Sequence, residues 1–146
     1  MAVTSTVSNH YLYKLQQGAI DLVNDTVKLA LMDDTFSFDR DAHDTWANVS
    51  GSEITHENGY SGPVTLANAA ATEDDSNDKS TVSFDDVTIT ASGGSFGPTS
   101  AAIIYDDTDG EDTIVGCIEF GDAYTVKDGK DITISDIVVE SLGQQV

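Results

Sequence analysis

Hydrophobic residues recur along this chain with two different periods, and the change of period marks its elements. Tyr11, Leu12 and Leu15 are spaced i, i+3/i+4, which places them on one face of a helix. Ser8 precedes that stripe as an N-cap and Gly18 follows it as a stop, so the pattern predicts a short helix over about Asn9 to Gln17. From Thr26 to Met32 the period becomes two. Val27, Leu29 and Leu31 alternate with Thr26, Lys28 and Ala30, as in a strand with one buried face. Between Asp33 and Gly59 the alternation is lost. Within that stretch Asp41 to Val49 has sequence for about two helical turns and carries Trp46, which is expected to anchor the excursion to the core.

The period of two then returns in short runs. Glu53-Ile54-Thr55 and Pro63 to Leu66 flank Asn58-Gly59, a tight-turn pair, and read as a hairpin. A polar break at Glu73 to Lys79 precedes Thr81 to Phe84 and Val87 to Ala91, two strands or one bent strand, with Val82, Phe84, Val87 and Ile89 facing a core. The Gly-rich connection Ser92 to Pro98 leads to Ala101 to Tyr105, and the acidic loop Asp106 to Asp112 separates that run from Thr113 to Phe120. These two runs read as a hairpin of central strands. Tyr124 to Val126, a turn at Asp128-Gly129, and Asp131 to Val139 read as a closing hairpin. About eight or nine strands at this spacing predict a mainly β fold. The expected form is a single-domain antiparallel β-sandwich or barrel-like fold with one short N-terminal helix and a short helical excursion near Trp46.

Charge narrows the set of partners. Six Lys and Arg stand against 26 Asp and Glu, a net charge of -20, which opposes binding to nucleic acid or anionic lipid because a phosphate surface needs cationic neutralisation. The acids are 20 Asp and 6 Glu, and Asp suits turns because its carboxylate can bond nearby backbone N–H groups. Residues 1–8 have neither a basic region nor a long apolar run, and no stretch approaches membrane-spanning length. Synthesis in the cytoplasm without a cleaved signal is expected. The single Cys117 lies in the apolar run Ile114 to Ile118 and is expected to be a small core hydrophobe.

Motifs for chemistry fail on spacing. His10, His43 and His56 are far apart and match no zinc pattern. There is no G-x-S-x-G elbow, and Gly93-Gly94-Ser95-Phe96-Gly97 lacks the lysine of a phosphate loop. Asp106, Asp107 and Asp109 are weak calcium candidates, since clustered carboxylates suit a hard cation. With Gly110 at the sixth position of an EF-hand loop, however, Tyr105 takes the first and Gly116 the twelfth, so the leading carboxylate and the bidentate Glu are both missing. Asp74, Asp75, Asn77 and Asp78 form a second such cluster that could ligate a cation at an oligomer axis. No catalytic residue and no cofactor is expected, and the chain is not expected to be an enzyme.

Several short motifs resemble those of small tailed-phage virion proteins. They are Ile20-Asp21-Leu22 running through Asp25 to Leu31, the Asp-rich segment Asp39 to Trp46, Gly59-Tyr60 with Val64-Thr65-Leu66, Phe84-Asp85-Asp86-Val87, and Ala102 to Asp107. The likeness spans about residues 9 to 137. It departs at Asp86, where a small residue plus Asp is usual in the family. The resemblance implies a virion structural protein, most like a capsid decoration (cement) protein on the capsid exterior. The major capsid protein would be its partner and a homo-oligomer, a trimer by preference, its form. The alternative is a tail or baseplate component acting as a receptor- or carbohydrate-binding β module. In such an assembly residues 1–10 would be an N-terminal arm, with Ser8 and His10 able to order on the capsid or a sister subunit, and residues 11–146 one β-rich domain. Tyr11, Tyr13, Phe36, Phe38, Trp46, Tyr60 and Phe96 are the aromatic candidates for contact, because Tyr and Trp dominate interface energetics.

Overall fold

The alternating runs from the first and last thirds of the chain meet at the centre of the molecule, in a computed structural model that describes residues 3–142. In chain order the elements are β1 (Thr4–Val7), α1 (Asn9–Gln16), β2 (Val27–Asp33), α2 (Trp46–Val49), β3 (Val64–Thr65), β4 (Ala70–Asp74), β5 (Lys79–Ser83), β6 (Val87–Thr90), β7 (Phe96–Asp106), β8 (Ile114–Val126), β9 (Asp131–Ile134) and β10 (Val138–Leu142). All pairings are antiparallel. They make a five-stranded sheet in the order β1-β8-β7-β2-β3, a three-stranded sheet β10-β5-β4, and a two-stranded sheet β6-β9. The fold is mainly β and sandwich-like, as expected. No helix among the described residues is long and apolar enough to cross a membrane.

The alternation in β2 decides which face meets the main core. Val27, Leu29 and Leu31 share that core with Ala102 and Ile104 of β7, Ile89 of β6, Ile134 of β9 and Val139 of β10. The opposite face was expected to be polar, yet Ala30 and Met32 are fully buried there with Ile103, Ile114 and Cys117. The reason is the irregular segment between β2 and β3, which lays Phe36, Phe38, Trp46 and Val49 across that face. Its expected two helical turns are one α-helical turn, α2, followed by a 3-10 turn at Ser50–Ser52. The side-chain oxygen of Asn48 accepts the N–H groups of Asp44 and Thr45, at 3.1 and 2.9 Å, and so holds the start of α2. Cys117 packs as a core hydrophobe, and burial pushes its thiol pKa up.

At the N-terminus the expected arm is partly a strand. Thr4 to Val7 pair with Glu119 to Gly116 of β8; Ala2 lies outside the described residues. Close approach is possible because residue 116 is Gly: a Cβ there would stand 2.6 Å from the Thr6 carbonyl oxygen. Ser8 occupies the N-cap position of α1 without capping it; its hydroxyl instead donates to the His43 carbonyl at 3.5 Å. The helix ends as Gly18 suggests. Gly18 N–H donates to Leu15 O at 3.0 Å and Ala19 N–H to Lys14 O at 3.1 Å, the paired bonds of a Schellman motif.

Three pairings differ from the sequence expectation. The Asn58-Gly59 turn forms, with φ of 49° and 105°, but its arms pair with β2 rather than with each other, Glu53 opposite Met32 and Val64 opposite Leu29. The polar break from Glu73 to Lys79 is the tip of a hairpin in which β4 pairs with β5. The closing hairpin is absent: β8 continues through Phe120 to Val126, β9 pairs with β6, and β10 with β5. Each discrepancy is one of partner choice, which periodicity does not encode.

The Gly116 contact makes a testable claim. Gly116→Ala should force β1 off β8 at a cost of about 1–3 kcal/mol, and hydrogen exchange should quicken at Thr4–Val7 while Ile103 stays slow. Unchanged protection of β1 would show that the strand does not depend on that approach.

Candidate functional site

The acidic loop between β7 and β8 is built around one inward-facing carboxylate. Asp106 ends β7 and is fully buried. Its Oδ1 accepts the N–H groups of Thr108 and Asp109 at 2.9 and 3.1 Å, while Oδ2 is buried with no hydrogen-bond partner among the described residues. Burial, together with the neighbouring Asp25 carboxyl, pushes its pKa from 3.8 up to about 6. The nearby carboxyl adds to the cost of ionising Asp106, because like charges repel.

The other calcium candidates do different work. Asp107 pairs with Lys28 at 2.9 Å. Asp109 accepts the Thr113 hydroxyl and lies 3.5 Å from Lys14 Nζ. Glu111 joins them, 3.0 Å from Lys14 and 3.3 Å from His10 Nε2. The Lys14 bond holds the Glu111 carboxyl below its usual range. The three aspartates therefore fail to converge, and among the described residues no group of three or more His, Cys, Asp or Glu side chains is placed to hold a metal. At the second acidic cluster, Asp74 accepts Asn77 N–H and Nδ2 at 3.2 and 2.8 Å, which fastens the β4–β5 turn.

The candidate contact residues divide by burial. Ser8, Tyr11, Tyr60 and Phe96 are enclosed in the protomer and form no part of an outer surface. Tyr11 meets Ser141 of β10. Tyr60 donates its hydroxyl to Glu53 at 2.7 Å and accepts Leu31 N–H at 3.0 Å. Trp46 is half-buried and stacks on Tyr105, with ring centroids 4.8 Å apart. Phe36 and Phe38 are half-buried on either side of His43, each 5.7 Å from its ring. His10 is half-buried, and Tyr13 alone of the nine is well exposed.

Sequence reading missed a pair of clefts on the surface. A cleft of about 740 Å³ opens beside the C-terminal half of β8, with Ile118, Phe120 and Val126 on its wall and Ile132 and Ile134 of β9 opposite. A neighbouring cleft of about 430 Å³ runs between β1 and β10 over Ile104 and Val115. Val3, Tyr124 and Val138, which are 62%, 49% and 43% exposed, line these two clefts. The available signal was Tyr124 beside Lys127 and Lys130, which reads equally well as an ordinary turn. No family model matches the chain, and no curated protein or solved structure is significantly similar to it.

The buried carboxyl gives a pH test. The native chain retains a proton that the unfolded chain releases between pH 3.8 and about 6, so this group's contribution to stability falls as pH rises through that window. Asp106→Asn keeps the acceptor for Thr108 and Asp109 and offers Asp25 an amide donor. It should be more stable than the parent by about 3 kcal/mol near neutral pH, with the advantage shrinking as pH approaches 4 in urea titrations. An advantage independent of pH would refute the raised pKa of Asp106.

Proposed function

We propose that the chain is a structural protein of a tailed-phage virion, a capsid decoration protein that binds the outside of the major capsid shell and stabilises the head. The observation that carries this reading is the exposed apolar face. Five large apolar side chains are well exposed among the described residues, and three of them, Val3, Tyr124 and Val138, gather at the clefts beside β1. Such clustering on an otherwise acidic surface fits a protein partner. The net charge of -20 opposes contact with packaged nucleic acid, and the resemblance in motifs supplies the shell as the partner.

In this role binding does the work. Copies, arranged as trimers, bridge neighbouring capsid subunits, and the interface they bury resists outward pressure on the shell. The β-rich scaffold suits the task because its cores hold the surface side chains in fixed positions before contact, which lowers the ordering cost of binding.

Counting copies in purified virions, with heads and tails separated, tests the reading. A decoration protein is expected in many tens of copies on expanded heads, released without loss of the tail. A few copies confined to the tail fraction would overturn it and favour a tail or baseplate module that binds a receptor or carbohydrate.

A further inference from the structure

The two clefts form one slot, since Ser5, Ile118 and Asp136 line both. Strand edges bound it. Among the described residues, β1 is hydrogen-bonded to β8 on one side only, β10 to β5 and β9 to β6, each leaving a second edge without a strand. Ser5 to Val7 of β1 and Val138 to Glu140 of β10 lie along the narrower part. Unpaired edges over an apolar floor present what an added strand needs: backbone donors and acceptors on the sides, and room for alternate side chains beneath.

Charge selects the occupant. Lys14, Lys28 and Lys79 each hold a carboxylate of this chain within 3.5 Å. Among the described residues Lys127 and Lys130 hold none, and both line the wider end of the slot. Asp131, Asp136 and Glu140 line it too, and Glu140 is held by Lys79, so the slot carries two of the chain's six cations against three of its 26 acids. This makes the slot far less acidic than the chain as a whole.

We infer that the slot receives an extended segment of a partner protein, added as a strand along β1 or β10, with apolar side chains on the floor and carboxylates at Lys127 and Lys130. Alternate residues of the segment would point into the slot and the rest away from it. The inference deepens the virion reading and rests on it only in making that partner a shell subunit.

Selection from a yeast-displayed library of short random peptides against the full chain tests it. Enriched peptides should be extended in pattern, apolar at alternate positions and acidic at one end. A synthetic copy of the best peptide should bind the Lys127→Glu/Lys130→Glu variant about tenfold more weakly, a loss of about 1.4 kcal/mol. It should also slow hydrogen exchange in Thr4–Val7 or Val138–Leu142 of the parent. Enrichment of basic peptides, equal binding to the variant, or no enrichment would overturn the inference, as would self-association of the chain that the two substitutions abolish. Because the peptide arm uses no virion, its failure is separate from a failure of the copy count. Normal occupancy of heads by the charge-swapped variant would sink the slot and leave the decoration role standing.

Discussion

Six consecutive residues of β7, Ala101 to Asp106, are buried, and the architecture follows from meeting that constraint. A strand with no solvent on either face needs partners for its backbone on both sides and cover above and below. β2 and β8 supply the partners, with Ile103 opposite Ala30 on one side and Cys117 on the other. The two small sheets cover one face. The other is covered by an irregular segment, whose ordering entropy is offset by burying Ile114, Cys117 and Val49 and by stacking Trp46 on Tyr105. Asp106 sits where the buried run meets the loop. Its carboxyl is drawn inside to close the β7–β8 connection, and its raised pKa reflects the cost of burying charge there.

The outer edge of β2 shows the same need met piecemeal. β3 covers only Lys28 and Leu29. Beyond it, Leu31 is satisfied by Ile54 N–H at its carbonyl and by the Tyr60 hydroxyl at its N–H. A side chain thus stands where a strand would otherwise be. Aspartate does comparable work at the turns. Among the described residues the five non-Gly residues of positive φ are Asn58, Asn68, Asp78, Asp112 and Asp136, and Asp21, Asp33, Asp39, Asp74 and Asp106 each accept an N–H two or three residues ahead. The excess of Asp over Glu is in part a turn chemistry.

That distinction explains what was legible in the sequence. Helix α1, the core face of β2, the β7–β8 hairpin and the Asn58-Gly59 turn all rest on local patterns, and they stand where those patterns put them. β4 was missed because Ala70 to Glu73 are exposed or nearly so and show no alternation; pairing with β5 alone makes them a strand. β1 was missed for the same reason. The segment covering Ala30 and Met32 was seen as irregular, but periodicity could not say which surface it would cover. Of the aromatic candidates, Tyr11, Tyr60 and Phe96 carry the chemistry of contact residues but are buried, and their burial is decided by neighbours distant in sequence. The calcium candidates failed on direction, since Asp106 points inward, Asp107 toward Lys28 and Asp109 toward Thr113.

The distribution of cations separates the two ends of the molecule. Lys14 binds α1 to the β7–β8 loop through Asp109 and Glu111, Lys28 binds β2 to the same loop through Asp107, and Lys79 ties β5 to β10 through Glu140. These bridges join elements whose packing already brings them together, so each adds little beyond local order. Lys127 and Lys130 join nothing among the described residues, and they flank a turn at the wider end of the slot between the sheets. In a chain with 26 acids, leaving two lysines unpaired beside apolar side chains forgoes an easy internal pairing. The unpaired edges of β1, β9 and β10 lie on that same side, whereas β2 has its exposed edge closed by Tyr60 and Ile54. At the slot, backbone, apolar surface and positive charge are therefore available together, which is the combination a strand-like acidic segment requires.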